Sequence, residues 1–178
     1  MDMTERTVSH SRLYDGLIVN VDLDQVKLPN ARIAKREIVN HPGGVAVLPL
    51  NDDGTVTLVR QYRYAFSSVL TEIPAGKLDA DEEPKEGALR ELKEEIGVHV
   101  GELIDLGCVY PSPGFCREIL YLYLARDLTY GESCPDEDEF LEVIRVPFDD
   151  LLEQVMQGDI KDAKTVAAVL KTKVILER

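Results

Sequence analysis

The chain has no tryptophan and only three cysteines in 178 residues, and its 20 lysines and arginines are outnumbered by 33 aspartates and glutamates. Each shortage removes a class of protein. Cys108, Cys116 and Cys134 are odd in number and form no C-x-x-C pair, which argues against a disulfide framework or a zinc site and fits free thiols in a reducing compartment. The formal net charge of −13 argues against a nucleic-acid partner, because affinity for a polyanion comes mainly from Lys and Arg displacing counterions. No apolar run approaches the roughly 18 residues of a membrane span. The opening Met-Asp-Met-Thr-Glu-Arg-Thr is polar and acidic, unlike a secretion signal, so the expected location is cytoplasmic, with no membrane partner. Without tryptophan, any stacking on a nucleobase falls to Tyr, Phe or a guanidinium plane.

What is present bounds the architecture. A chain that is 44% hydrophobic and 30% charged at this length suits one folded domain with an appendage. Leu17, Val19, Val21 and Leu23 alternate with other residues, Leu28-Pro29-Asn30 punctuates, and a second extended run follows from Ile33 to Val39. This predicts a small N-terminal β-hairpin subdomain over 1–41. His41-Pro42-Gly43-Gly44 marks the boundary, and 42–178 form the main domain. There, Val45 to Leu50 and Val56 to Gln61, joined by Asp52-Asp53-Gly54, predict a second hairpin. Helices are expected at Pro84 to Ile96, Phe148 to Gln157 and Asp162 to Ile175, with strands near Glu102 to Val109, Glu118 to Leu124 and Phe140 to Val146. In the last helix Val166, Val169, Leu170 and Val174 recur at helical spacing and predict its buried stripe. Mixed strands with interleaved helices predict the α+β class, arranged as an α/β/α sandwich with a mixed sheet.

One segment carries the chemistry. From Gly76 to Val98 the chain fits G-x5-E-x7-R-E-U-x-E-E-x-G-U, with U aliphatic, at every constrained position. Pro84 suits a first helical turn, Asp81 or Glu82 favours its positive end, and Gly97 ends it. At about 100° per residue, Ala88, Leu89, Leu92 and Ile96 gather on one stripe, while Glu91 and Glu95 lie about 40° apart on a neighbouring face. Glu94 falls on the same broad side, and Arg90 stands four residues before it, where an ion pair fixes a side chain. An isolated Glu-rich helix is usually a solvated face with such pairs. Here Gly76 and Gly97 bracket the helix at fixed distances, which solubility does not require. Carboxylates gathered on one side repel one another without a cation among them, and hard oxygen ligands favour Mg²⁺ or Mn²⁺.

The segment resembles the box of the Nudix hydrolases, which cut a nucleoside diphosphate linked to another moiety. The resemblance implies a Nudix α/β/α sandwich and metal-assisted hydrolysis of a pyrophosphate. It maps the metal ligands onto Glu91 and Glu95 first, Glu94 next, and the backbone carbonyl of Ala75. Glu82 matches the first glutamate of the box, a structural or outer-shell group.

Four further segments resemble the ADP-ribose pyrophosphatase subfamily. They are Arg60-Gln61-Tyr62-Arg63-Tyr64 with Glu72-Ile73-Pro74-Ala75-Gly76; Tyr110-Pro111-Ser112-Pro113-Gly114; the acidic run from Asp136 to Val143; and Asp162-Ala163-Lys164-Thr165. The resemblance implies ADP-ribose as substrate, bound by Arg63, Glu72, Arg36, Glu37, Pro113, Gly114 and Glu118. Pro113, sixteen residues after Gly97, is the marker of that preference. A guanidinium such as Arg63 grips phosphate bidentately. Glu139 is the implied catalytic base, with Glu95 and Glu82 as competitors. Arg36 and Glu37 read equally well as an exposed strand pair. The subfamily commonly exchanges its N-terminal strands between two subunits, which implies a homodimer. Cys116-Arg117-Glu118 departs from relatives, which often carry a small residue and an Asp before the Glu, so the strictness of ADP-ribose selection stays open. The nearest alternative is another nucleoside diphosphate sugar, such as GDP-mannose. A regulator that binds ADP-ribose without cutting it is disfavoured by the intact Glu91, Glu94 and Glu95.

Overall fold

A computed structural model of the chain describes residues 1–134 and 140–178. They fall into two compact units, Met1–Gly43 with Tyr110–Ile119, and Gly44–Val109 with Leu120–Arg178.

The first unit is built on an antiparallel sheet of three strands, β1 (Arg6–Asp15), β2 (Asn20–Lys27) and β3 (Ile33–Asn40), in that order. The sequence predicts only a hairpin here. β1 escapes prediction because Arg-Thr-Val-Ser-His-Ser-Arg-Leu-Tyr-Asp has no apolar alternation, and every one of its residues is exposed. The buried side chains of β2 are Asp22, Asp24 and Val26, whereas Val21 and Leu23 are only partly covered. Buried carboxylates persist only when paired: Arg12 and Asn40 donate to Asp22, and His10 Nδ1 lies 2.7 Å from Asp24. The segment Tyr110–Ile119 joins this unit by lying along β3, with Val39 N–H donating to the Phe115 carbonyl (2.8 Å) and Arg117 N–H to the Val39 carbonyl (2.9 Å).

The second unit is a layered α+β fold. A four-stranded mixed sheet has β7 (Ala75–Lys77), β4 (Gly44–Pro49), β9 (Leu120–Tyr130) and β8 (Val98–Val109) in that order, with β4 and β9 parallel and Gly44 opposite Leu120. A three-stranded antiparallel sheet sets β10 (Leu141–Pro147), β5 (Thr55–Arg63) and β6 (Ser68–Glu72) together. The expected hairpin between β4 and β5 is therefore corrected. The two strands enter different sheets, bridged at Leu50 and Val56, because both faces of β4 are buried and each needs a helical layer.

Three helices supply those layers: α1 (Pro84–Ile96), α2 (Phe148–Gln157) and α3 (Ala163–Leu176). Val45 and Val47 of β4 pack in a cluster with Ala88, Leu92 and Ile96 of α1. Ala46 and Leu48 point the other way, into a cluster with Leu151 of α2 and Ala168 and Val169 of α3. The period-two alternation of one strand thus holds a helix against each face. None of the helices among the described residues is long and apolar enough to cross a membrane.

Two expected stripes are shifted. Leu89 is exposed, and the buried arc of α1 runs instead through Ala88, Glu91, Leu92, Glu95 and Ile96. In α3 the buried residues are Lys164, Thr165, Ala168, Val169 and Thr172, while Leu170 and Val174 are exposed. Small side chains on α3 bring the helix close enough for the backbone N–H of Ile73 to donate to Thr165 Oγ1 (3.0 Å).

Candidate active site

The box helix begins and ends on the expected residues for identifiable reasons. Pro84 occupies its first turn, where a missing N–H costs nothing, and Gly97 closes it at φ 66°, a conformation that disfavours side chains. A Cβ at Gly97 would also lie 2.6 Å from the Gly131 carbonyl oxygen. Between these stops the helix turns its carboxylates inward: Glu91 and Glu95 are 8% and 4% exposed.

Arg90 organises the group. Its Nε and Nη2 grip Glu82 at 2.8 and 2.9 Å, its Nη1 donates to Glu91 Oε1 and Glu94 Oε2, both at 2.9 Å, and Nη2 also reaches the Lys77 carbonyl at 3.1 Å. The sequence points to the pair with Glu94; the bidentate clamp on Glu82, eight residues back across the loop, is not readable from helical spacing. Arg90 lowers the Glu82 pKa to about 2, helped by the Asp79 N–H, and the three carboxylates raise the Arg90 pKa in return.

Glu95 Oε2 accepts the backbone N–H of Ala75 at 3.1 Å, which ties the end of the helix to β7. The neighbouring Gly76 lies against Glu91, whose carboxylate occupies the space that a Cβ there would take. The first glycine of the box is thus required by close approach, and its conformational freedom is secondary.

Whether these residues suit a cation is decided by donor chemistry. No cluster of three or more His, Cys, Asp or Glu groups among the described residues is already arranged as a cage. None is required for Mg²⁺ or Mn²⁺, because Mg²⁺ keeps several waters and takes one or two carboxylates. Glu91, Glu94, Glu95 and the Ala75 carbonyl are all hard oxygen donors on two adjoining elements, and they fit.

A second group of charges lies on the same unit. Glu72, at the end of β6, is 2% exposed and receives Arg63 Nε and Nη2 at 2.8 and 2.9 Å. Lys164 Nζ also donates to Glu72 Oε2, and to Asp162 Oδ1 at 2.9 Å. Burial opposes ionisation of Glu72, and the two cations more than offset it, so its pKa falls below the ordinary value. Asp162 caps α3 by accepting Thr165 N–H at 3.0 Å. The group forms one wall of a pocket of about 280 Å³, together with Tyr64 and Phe66 of the 3₁₀ turn Tyr64–Phe66. In the sequence Asp162 and Lys164 read only as the start of a helix, and no local signal marks Lys164 as the partner of Glu72.

The remaining expected residues belong to the first unit. Arg36 is engaged by Glu5, Glu37 is exposed on β3, and Glu118 lies 3.7 Å from His41. Pro113 and Gly114 are exposed on the segment beside β3, and a Cβ at Gly114 would meet nothing. Glu139 lies outside the described residues.

One prediction arises from the Arg90 clamp. Glu82→Gln is expected to lower folding stability at neutral pH by about 1–2 kcal/mol, the scale of a hydrogen bond to a charged group. A depressed carboxylate pKa gives stability above its unfolded value of 4.5 that is lost as pH falls through about 2. The gap between wild type and variant should therefore close over that interval, as measured by denaturant titration at several pH values. A gap that persists unchanged to pH 2 would contradict the clamp.

Comparison with known proteins agrees with this geometry. The NUDIX domain matches residues 40–169. The chain is 41% identical over 169 residues to the ADP-ribose pyrophosphatase of Bacillus subtilis (strain 168), covering 94% of this chain and 91% of that one. It is also 41% identical over 167 residues to the methanol dehydrogenase activator of Bacillus methanolicus, covering 93% and 90%. A crystal structure of an ADP compounds hydrolase superposes with a TM-score of 0.88 at 21% identity, covering 99% of this chain and 97% of that one, which establishes a shared fold. NUDIX hydrolases generally use divalent metal ions, the chemistry that the box carboxylates suit. From the box motif, its carboxylate helix and this match over most of its length, the chain belongs to the NUDIX family.

Proposed function

We propose that this hydrolase cleaves the pyrophosphate bond of ADP-ribose with water, giving AMP and ribose 5-phosphate. The observation that carries the chemistry is the box helix, with Glu91, Glu94 and Glu95 turned toward one side and Gly76 making room for Glu91. The substrate rests on the similarity to an ADP-ribose pyrophosphatase across nearly the whole chain.

In this reading Glu91, Glu94, Glu95 and the Ala75 carbonyl hold Mg²⁺ or Mn²⁺. When bound, the metal polarises phosphoryl oxygens and makes a water acidic enough to attack phosphorus. The chain's own groups do the rest. Arg90 keeps Glu91 and Glu94 ordered. Arg63, anchored by Glu72, offers its guanidinium to a phosphate. Glu139 takes the proton of the attacking water, with Glu95 and Glu82 as the competitors. Hydrolysis places the water oxygen on phosphorus and the bridging oxygen on the leaving phosphate.

A panel of ADP-ribose, GDP-mannose and related diphosphates, assayed for AMP or GMP release, tests the substrate. ADP-ribose is expected to turn over fastest, and a faster non-adenine substrate rejects it. The similarity to the methanol dehydrogenase activator supports a second reading, stimulation of a methanol dehydrogenase. Alcohol oxidation by that enzyme, followed with and without this chain, decides that point.

The protein is further proposed to be cytoplasmic and to form a homodimer through its N-terminal strands. The ten residues of β1 are all exposed and, among the described residues, pair on one side only, with β2, which leaves an edge to meet a second copy. Light scattering at micromolar concentration is expected to give twice the 19.9 kDa chain mass; the monomer mass would reject the dimer.

A further inference from the structure

The buried lysine of α3 has no part in the chemistry described so far. We propose that Lys164 is a positioning residue: through Glu72 it holds Arg63 ready for a phosphate, and it sets the charge that the pocket presents to a diphosphate. The inference rests on Arg63 as the phosphate ligand.

Glu72 is almost completely buried, and its two oxygens are divided between two cations. Arg63 takes both oxygens in a fork, and Lys164 shares Oε2. Lys164 is in turn fixed by Asp162, which is itself immobilised as the cap of α3. The arrangement connects a helix terminus to Arg63 through one carboxylate. Arg63 keeps a substantially exposed side chain on the pocket while its Nε and Nη2 are anchored, so its orientation is set before any ligand arrives.

Charge is the second half of the argument. Arg63, Lys164, Glu72 and Asp162 together carry no net charge. Replacing Lys164 by a neutral residue leaves one net negative charge on the pocket wall and gives Arg63 the whole burden of compensating Glu72. Both changes oppose a ligand bearing two phosphate charges. A lysine serving only as packing for α3 would produce neither effect.

The test uses the full chain and ADP as the probe, with Kd measured by calorimetry and Tm measured in parallel. Lys164→Met is expected to weaken ADP binding by about tenfold, the effect of one charge at short range under moderate screening. Lys164→Arg, which restores the charge, is expected to recover most of that loss. With the preferred diphosphate substrate, Lys164→Met should raise KM in proportion to its Kd and change kcat less. A lowered Tm with unaltered Kd in Lys164→Met, or a Lys164→Arg variant that loses affinity as Lys164→Met does, overturns the proposal. A wild-type chain that does not bind ADP overturns it too. A chain that binds ADP and responds as expected, yet leaves ADP-ribose intact, overturns only the hydrolase reading.

Discussion

Gly76→Ala is expected to leave a folded protein that has lost up to about a hundredfold in turnover, the scale seen when groups that orient a metal site are displaced. The added methyl falls where the Glu91 carboxylate now lies. Something must move, and the backbone is the stiffer partner. Gly76 sits on β7 in register with Val45 of β4, and a side chain on the neighbouring Gly44 would already collide with the Gly76 carbonyl. Glu91 is the far end of a flexible side chain, so it rotates away and a candidate metal ligand leaves its place. Circular dichroism and Tm should change little, while kcat at saturating metal collapses. Near-normal turnover would show that the position of the Glu91 carboxylate is immaterial.

Glu95→Gln should have an effect of similar size by another route. Glu95 is tied to the Ala75 N–H by one oxygen, and the amide of Gln retains a carbonyl that can accept the same bond. The connection between α1 and β7 survives, but the charge does not. A neutral amide is a weaker donor to a divalent cation than a carboxylate, so turnover is expected to fall about a hundredfold and the metal concentration for half-maximal rate to rise by about tenfold or more. Activity titrated against Mg²⁺ and Mn²⁺ separates the two components. Wild-type rates at every metal concentration would remove Glu95 from the ligand set. Glu94, whose side chain is 42% exposed, should respond less to the same change.

The box was legible because each of its constraints is local. Pro84 and Gly97 bound the helix through backbone chemistry that acts within one turn, and the observed ends match the expected ones. The spacing of Glu91 and Glu95 likewise follows from helix geometry. The apolar stripe holds at Ala88, Leu92 and Ile96 and fails at Leu89, because the neighbouring face with Glu91 and Glu95 is the one that is covered. At this site the acids are covered and the leucine is not. β6 and β7 were invisible because each is short and its pairing is decided by distant strands. The same holds for β4 and β5, where a good turn sequence suggested a hairpin that sheet assembly overrides. Lys164 illustrates the limit most clearly: its partner Glu72 is 92 residues away, and nothing in local patterning connects them.

The parallel pairing of β4 with β9 has a further consequence during synthesis. Gly44 meets Leu120 only after the 75 intervening residues have emerged, and closing so long a loop is slow relative to local helix formation. The carboxylate helix is translated within that interval, before the strand that completes its supporting sheet exists. A nascent chain halted ahead of residue 120 would thus carry the whole motif as an acidic segment without a platform, and the ability to act on a substrate should appear abruptly as the later strands and α3 leave the ribosome.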